Sequence, residues 1–357
     1  MNILIVSFSI NGAMGDNFKL IAKYLSLNNN TFILTNKNIN SKDVGTSQIK
    51  NINFDRKKPL TFINPLSFFK IHKYIKETQF DIAFILSPHP INIFLYHIIN
   101  NAKIVTYVHD HIPHSGVKKL DYFFMKKQLN YFYNRSKKII VSCNWIKKDI
   151  LEKKFISNSS KIEVNYLGLL ENHLYPNNKI KEDIDVLFFG RIEYYKGLDI
   201  LIKAAQNLNQ YKFYIVGKGN INSTFGIDQI PSNCIHINNY IPDEELAKYI
   251  QRSKIVVLPY RDATGTQTIQ SIFYYKKPII ATNVGCFPEY ISNEKDGIII
   301  KKESIEELTD AIKLLLTDKE KRLSYGNNGY NKISSIFNNE NIAKKYIQIF
   351  ELITYEN

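Results

Sequence analysis

The chain has 357 residues, more than one hydrophobic core usually organises and comfortable for two domains. A hydrophobic content of 44% with 13% aromatics excludes a disordered polymer, and three cysteines (Cys143, Cys234 and Cys286) without CxxC spacing exclude a disulfide scaffold or a zinc ribbon. The net charge of +14 fits nucleic acid, an anionic membrane face or a diphosphate-bearing substrate, and equally a plain compositional preference for Lys, Asn and Ile.

The opening MNILIVSF has no basic stretch and breaks by Asn11, so it reads as a buried first strand rather than a signal peptide. No apolar run reaches the roughly 18 residues of a membrane-spanning helix. A cytoplasmic location, or one on a membrane surface, is therefore expected. Strands are predicted in the first half at Ile3–Ser7, Thr31–Leu34, Asp81–Leu86, Lys103–Val108, Lys138–Val141 and Ile162–Asn165. In the second half they recur at Asp185–Phe189, Tyr211–Val216, Ile235–Ile237, Lys254–Leu258, Pro278–Ala281 and Gly297–Ile300. Most are continuous apolar runs, which suits parallel strands covered on both faces. Helical spacing appears between them, as at Leu198, Leu201, Ile202, Ala205 and Leu208. Ser304 and Glu307 are placed as a capping box, and the tail carries Ile342, Tyr346, Ile349, Phe350 and Ile353 on one helix side. The alternation predicts an α/β chain of two Rossmann-like, doubly wound domains, with the polar stretch Leu169–Asp183 as linker and a ligand cleft at the carboxyl ends of the strands.

The chemistry concentrates in the second half. In GRIEYYKG, Gly190 turns the backbone at a strand end, Arg191 offers a planar fork, and Lys196 a compact point charge before Gly197. Two such cations suit a diphosphate without a metal; the plain alternative is a solvated turn with two surface cations. Gly217 and Gly219 end the next strand and allow close approach of a ligand. PYRDATGTQ (Pro259–Gln267) then runs from a strand into a helix, placing N–H groups around Thr264–Gln267 toward an anion.

This ordered set resembles the second domain of GT-B glycosyltransferases of the large retaining family 4. Gly190–Gly197, Val216–Gly219, Tyr240–Leu246, Leu258–Tyr260 and Lys276–Glu289 match that family's GR(x)4KG, VGxG, GYVPDEEL, lPY and GKPVIATDVGGxPE segments. The first half matches more loosely, through INGAMGDN, VHDHIPHSG and VSCNWIKKDI. The resemblance implies an acceptor domain at 1–170, a linker at 171–183, a nucleotide-sugar donor domain at 184–336, and a terminal helix at 337–357 that crosses back to the first domain and touches both halves. It further implies sugar transfer from a nucleotide-diphosphate donor with retained configuration and no essential metal. Catalytic residues carried over are His109, Arg191 and Lys196. His109 hydrogen-bonds a sugar hydroxyl or the developing transition state, unless it merely caps its strand. Donor-binding positions carried over are Gly12, Gly15, Gly190, Gly217, Ile241, Thr264, Gly265, Thr266, Gln267 and Ser271. Asp110, His111 and His114 carry metal-ligand side chains, in no recognised zinc spacing.

One departure stands out. The family's spaced glutamate pair falls on Ala263 and Ser271, so both acids are missing, and Thr264, Thr266 and Gln267 are expected to replace their contacts. Asp262 and Gln270 keep the spacing one step out of register, and a one-residue slip on a helix turns a side chain by about a quarter turn or more. A non-catalytic GT-B subunit bound to a partner enzyme, or a sugar-nucleotide epimerase, are the rival readings.

Finally, Lys118–Lys138 interleaves lysines with Tyr122, Phe123, Phe124, Tyr131, Phe132 and Tyr133. That mixture fits an anionic bilayer surface, or nucleic acid, or a core helix with solvated lysines. The bilayer reading, with a lipid-linked saccharide acceptor in capsule, lipopolysaccharide or similar assembly, is the one carried forward, and no nucleic-acid partner is expected.

Overall fold

A computed structural model describes residues 1–36, 38–51, 65–86, 92–99, 102–109, 111, 119–177 and 179–355. Two compact units result. The first takes the chain up to Gly168 and regains it at Asn339–Asn357, and the second is Leu169–Asn338.

The first unit runs β1 (Asn2–Val6), α1 (Gly12–Leu25), β2 (Asn30–Thr35), β3 (Gln48–Asn51), α2 (Pro65–Glu77), β4 (Ile82–Ile85), α3 (Asn92–Ile98), β5 (Lys103–Val108), α4 (Lys119–Arg135), β6 (Lys138–Val141), α5 (Asn144–Glu152) and β7 (Ile162–Val164). Its seven strands form one sheet in the order β3-β2-β1-β4-β5-β6-β7, and every pairing is parallel. β4 is buried at every position, as a strand covered on both faces must be. β3 is the strand the sequence hides. It is polar, no residue of it is fully buried, and it sits at the sheet edge, where apolar patterning is not required.

The second unit runs β8 (Ile184–Phe189), α6 (Leu198–Gln206), β9 (Phe213–Val216), α7 (Ile221–Phe225), β10 (Cys234–Ile237), α8 (Asp243–Arg252), β11 (Ser253–Leu258), α9 (Thr268–Tyr274), β12 (Ile279–Thr282), α10 (Phe287–Tyr290), β13 (Gly297–Ile300), α11 (Ile305–Thr317) and α12 (Lys319–Ser335). Six parallel strands lie in the order β10-β9-β8-β11-β12-β13. β9 starts later than the apolar pattern implies, because the Lys212 N–H is taken by Asp185 Oδ2 at 2.8 Å. Ser304 caps α11 by accepting from the Glu307 N–H at 3.2 Å. The Glu307 carboxylate does not return the bond to Ser304, however, and accepts from the Lys301 N–H at 2.7 Å. Only half of a capping box forms.

The stretch Leu169–Asp183 lies along the second unit. Tyr175 N–H donates to the Tyr275 hydroxyl at 2.8 Å, Asn177 N–H to Gln251 Oε1 at 2.7 Å, and Arg252 grips Asp183 through two bonds of 2.7 Å. The last helix, α13 (Asn339–Tyr355), packs on α1 in the first unit. Phe350 and Tyr346 meet the ring of Phe84 on β4 at 5.2 and 5.3 Å between centroids, and Asn165 Nδ2 donates to the Ile342 carbonyl at 3.0 Å.

In α4 the structure corrects the surface reading for part of the aromatic set. Phe132 and Tyr133 are buried, and Phe132 stacks on Tyr96 at 5.0 Å. Phe123 stays half exposed with the Lys127 ammonium 4.6 Å from its centroid. The side chains of Tyr122 and Phe124 lie outside the described residues. Among the described residues no helix is long and apolar enough to cross a membrane.

Candidate functional site

Strand order locates the site before any side chain does. After β8 the chain winds toward β9, and after β11 it winds the opposite way toward β12, so a crevice opens between the carboxyl ends of β8 and β11. Doubly wound sheets bind ligands at such switch points. The loop after β8 is Gly190–Gly197, and the loop after β11 is Pro259–Gln267.

Two glycines close that end of the sheet. Gly190 has φ +117° and donates its N–H to the Val216 carbonyl at 2.9 Å. A Cβ on Gly190 would stand 2.2 Å from Lys196 Nζ, and one on Gly217 would stand 2.0 Å from the Gly190 carbonyl oxygen. The ammonium and two strand ends thus occupy space that side chains would fill. A short 3-10 turn, Tyr194–Lys196, sets the lysine in place.

Lys196 is half-buried and donates to the Tyr260 hydroxyl at 3.0 Å, with its nitrogen 5.0 Å from the ring centroid. Burial lowers its pKa below an ordinary lysine's. Tyr195 and Glu193 work against that shift, and the positive field of Arg191 adds to it. Burial pushes the Tyr260 hydroxyl upward, so the partner is a neutral phenol. Among the described residues this phenol is the one hydrogen-bond partner of the Lys196 ammonium, which is left without a bonded carboxylate. Arg191 is 76% exposed, with Nη1 3.5 Å from Glu193. Such an open pair is weak and readily exchanged for an incoming anion. The sequence reading took Tyr260 only as the end of the Leu258–Tyr260 motif and gave it no role of its own. It stands two residues after β11, opposite the Lys196 turn.

The second loop is held from behind. A Cβ on Gly285 would stand 1.5 Å from the Ala263 carbonyl oxygen, and the Cys286 thiol donates to the Thr264 carbonyl. Thr264 and Gln267 are buried, while Gly265 and Thr266 are half-buried. The Thr268 N–H at the helix start is occupied by Thr266 Oγ1 at 3.2 Å, so that donor faces a hydroxyl rather than open space. Ser271 Oγ donates to the Gln267 carbonyl one turn back, and Gln270 is fully buried. Ile241 is half-buried after β10, two strands from the switch point.

In the first unit the switch point lies between β1 and β4. Gly12, at φ +66°, opens α1 after β1 with nothing near its missing side chain, whereas a Cβ on Gly15 would stand 2.1 Å from the Ile10 carbonyl carbon. His109 follows β5 and is half-buried, and its Nδ1 has no hydrogen-bond partner among the described residues. Asp110 and His114 lie outside the described residues. His111 is buried, with Nε2 2.5 Å from Asp149 Oδ2 and its ring edge against Trp145 and Phe155. That is a packed structural histidine. Among the described residues no group of three or more His, Cys, Asp or Glu side chains could hold a metal.

Family models match both units. The family described as Glycosyltransferase Family 4 matches residues 39–169, and Glycosyl transferases group 1 matches residues 171–332. The chain belongs to the family 4 glycosyltransferases. An uncharacterized glycosyltransferase of Methanocaldococcus jannaschii is 26% identical over 58% of this chain and 56% of its own. An N,N'-diacetylbacillosaminyl-diphospho-undecaprenol alpha-1,3-N-acetylgalactosaminyltransferase of Campylobacter jejuni is 26% identical over 50% of this chain and 47% of its own. The chain thus spans about half the length of these curated relatives. Among solved structures, Anabaena HepE in complex with UDP and glucose superposes with a TM-score of 0.75 over 99% of this chain and 100% of that one, at 15% identity. At that identity the likeness shows the GT-B fold that family 4 shares.

Proposed function

We propose that the chain is a retaining glycosyltransferase that moves a sugar from a nucleotide-diphosphate donor to a saccharide acceptor. The observation that carries this reading is the Lys196 ammonium, seated on a glycine turn at the switch point and bonded to a neutral phenol instead of a carboxylate. A half-buried cation in that state gains most from an incoming anion. As the bond between the anomeric carbon and the diphosphate oxygen breaks, negative charge grows on that oxygen. Lys196 and Arg191 neutralise it, so the leaving group needs no essential metal. The backbone at Gly190 and Gly217 lets the diphosphate approach. In this reading Thr264, Gly265, Thr266, Gln267, Ile241 and Ser271 serve the donor within the second unit, and His109, Gly12 and Gly15 are the first unit's candidate residues.

The acceptor in this reading is lipid-linked, in surface polysaccharide or lipopolysaccharide assembly on the inner face of the cytoplasmic membrane. The Campylobacter relative, named for a diphospho-undecaprenol acceptor, supports that class, and the UDP and glucose in HepE support the donor class. The exposed Phe123–Lys127 pair offers a headgroup contact. Ala263 and Ser271, where acids are missing, favour the rival reading of a non-catalytic subunit. Incubation of the purified chain with UDP-, GDP- and dTDP-sugars decides between them. Slow release of nucleoside diphosphate from at least one donor is expected, and silence toward every donor would leave the subunit reading.

A further inference from the structure

Arg261 stands directly after Tyr260 and reaches back to the turn that carries Lys196. Its Nη1 and Nη2 each lie 2.8 Å from a carboxylate oxygen of Asp199, in the first turn of α6. Nη1 also donates to the Tyr194 carbonyl at 3.0 Å, and Nε donates to Glu303 Oε1 at 2.9 Å. The guanidinium carbon sits 4.3 Å from the Tyr194 ring centroid, and the Arg261 backbone N–H donates to the Tyr195 carbonyl at 2.6 Å. The side chain is 11% exposed, so this network works in a poorly hydrated place. Hydrogen bonding to Asp199, followed by that to Glu303, outweighs burial and holds the guanidinium pKa above an ordinary arginine's.

Two features decide what this arginine does. Four of its five N–H donors are taken by protein partners, so it has little left for a phosphate, unlike the open fork of Arg191. The turn it grips is otherwise held by the Arg261 backbone N–H on the Tyr195 carbonyl and by ring contacts. Tyr194 meets Phe225 at 6.1 Å and Tyr195 meets Tyr260 at 5.9 Å, so the Arg261 fork is the turn's charged side-chain anchor. Tyr194–Lys196 is a single 3-10 turn, and Gly197 behind it is left-handed at φ +64° and caps α6 without a side chain. A Cβ on Gly197 would stand 2.0 Å from the Pro259 carbonyl oxygen, so the turn and the end of β11 touch directly at that residue.

We propose that Arg261 is a positioning residue for Lys196. By clamping Asp199, Glu303 and the Tyr194 carbonyl together, it pins the Tyr194–Lys196 turn to the end of β11 and keeps the ammonium on Tyr260 above Gly190. Lysine cannot substitute, because a point charge cannot engage both Asp199 oxygens, the carbonyl and Glu303 at once. The consequence for donor binding rests on the reading of Lys196 given above; the pinning does not.

The test uses the full chain with Arg261→Lys and Asp199→Asn, each checked for folding by circular dichroism. The pH dependence of Lys196 acetylation is read by peptide mass spectrometry. The charged and titratable groups that face Lys196, namely Arg191, Glu193, Tyr195 and Tyr260, are the same in every variant. Release of the turn should raise the labelling midpoint by roughly one pH unit, as the ammonium regains water. Affinity for UDP, GDP or dTDP, whichever the unmodified chain binds, should fall roughly tenfold. A midpoint unchanged in the variants that fold overturns the proposal. A raised midpoint in a chain that binds none of the three nucleotides supports the pinning and removes the donor reading instead.

Discussion

The two units share a strand order through all six strands of the second sheet, the first adding β7, and differ in how the loops at the switch point are held. In the second unit, glycines let separate backbone segments touch. Gly217 meets the Gly190 carbonyl, Gly197 meets that of Pro259, and Gly285 meets that of Ala263. In the first unit Gly12 faces open space, and Gly15, in the first turn of α1, presses on Ile10 just before that helix. Where one segment's glycine is required by another segment's backbone, several motifs become obligatory together. Where a loop stands clear, few positions are dictated. The second unit's switch-point segments are therefore locked against one another by backbone contacts, while the described start of α1 in the first unit is less constrained.

The largest effects should come from breaking each unit's interior separately. Asp296 is 2% exposed and paired with Lys332 at 2.6 Å, so Asp296→Ala should cost about 3–5 kcal/mol by leaving the lysine with only the Tyr290 carbonyl and the Ser292 N–H without its acceptor. Phe350→Ala in the first unit should cost about 3–5 kcal/mol through its cavity against Phe84. Denaturant unfolding combined with limited proteolysis checks both, with early cuts expected in the mutated unit; cuts spread evenly would erase the contrast.

Next in size is the charge at the second unit's switch point. Lys196→Met should slow turnover about 10²–10³-fold, the usual effect of losing one donor to a developing anion. Steady-state kinetics at saturating donor reads this, and a loss confined to KM would mean that Lys196 binds without aiding departure.

The glycines test the comparison itself. Gly217→Ala puts a side chain 2.0 Å from a carbonyl oxygen at φ +150° and should cost well beyond the roughly 1 kcal/mol expected of Gly12→Ala, which meets only left-handed strain at φ +66°. Equal melting-temperature losses would show that the second unit's crowding is no more binding than the first unit's open turn.

The smallest effect is one of pH. A diphosphate favours the protonated lysine, and the Lys196 pKa is lowered by burial. Donor affinity should hold below that pKa and decline as pH rises through it, earlier than an ordinary lysine would allow. Lys196→Arg keeps its charge and should flatten the decline. Coincident profiles for the two proteins would remove the lysine from the binding step.

Most of the frame was legible, because buried parallel strands must be apolar at nearly every position. β3 was not, since an edge strand with polar residues carries no such pattern. In the site, Gly190, Gly197 and Lys196 stood out because turn chemistry leaves few alternatives. The roles of Tyr260, read only inside the Leu258–Tyr260 motif, and of Arg261 did not. Their importance arises from contacts across the switch point, to Lys196 and Asp199, which chain spacing cannot express. Phe132 and Tyr133 fit the core-helix alternative that the sequence left open. A basic–aromatic composition does not say which face of a helix turns inward, and these two rings turn into the core.

The central claim is that Arg191 and Lys196 together hold a nucleoside diphosphate. Calorimetric titration of UDP, GDP and dTDP into the unmodified chain and into the Arg191→Gln/Lys196→Met double variant tests it most directly. The account predicts binding of at least one nucleotide by the former and a loss of about a hundredfold or more in the latter. Equal affinity in the two proteins would contradict it.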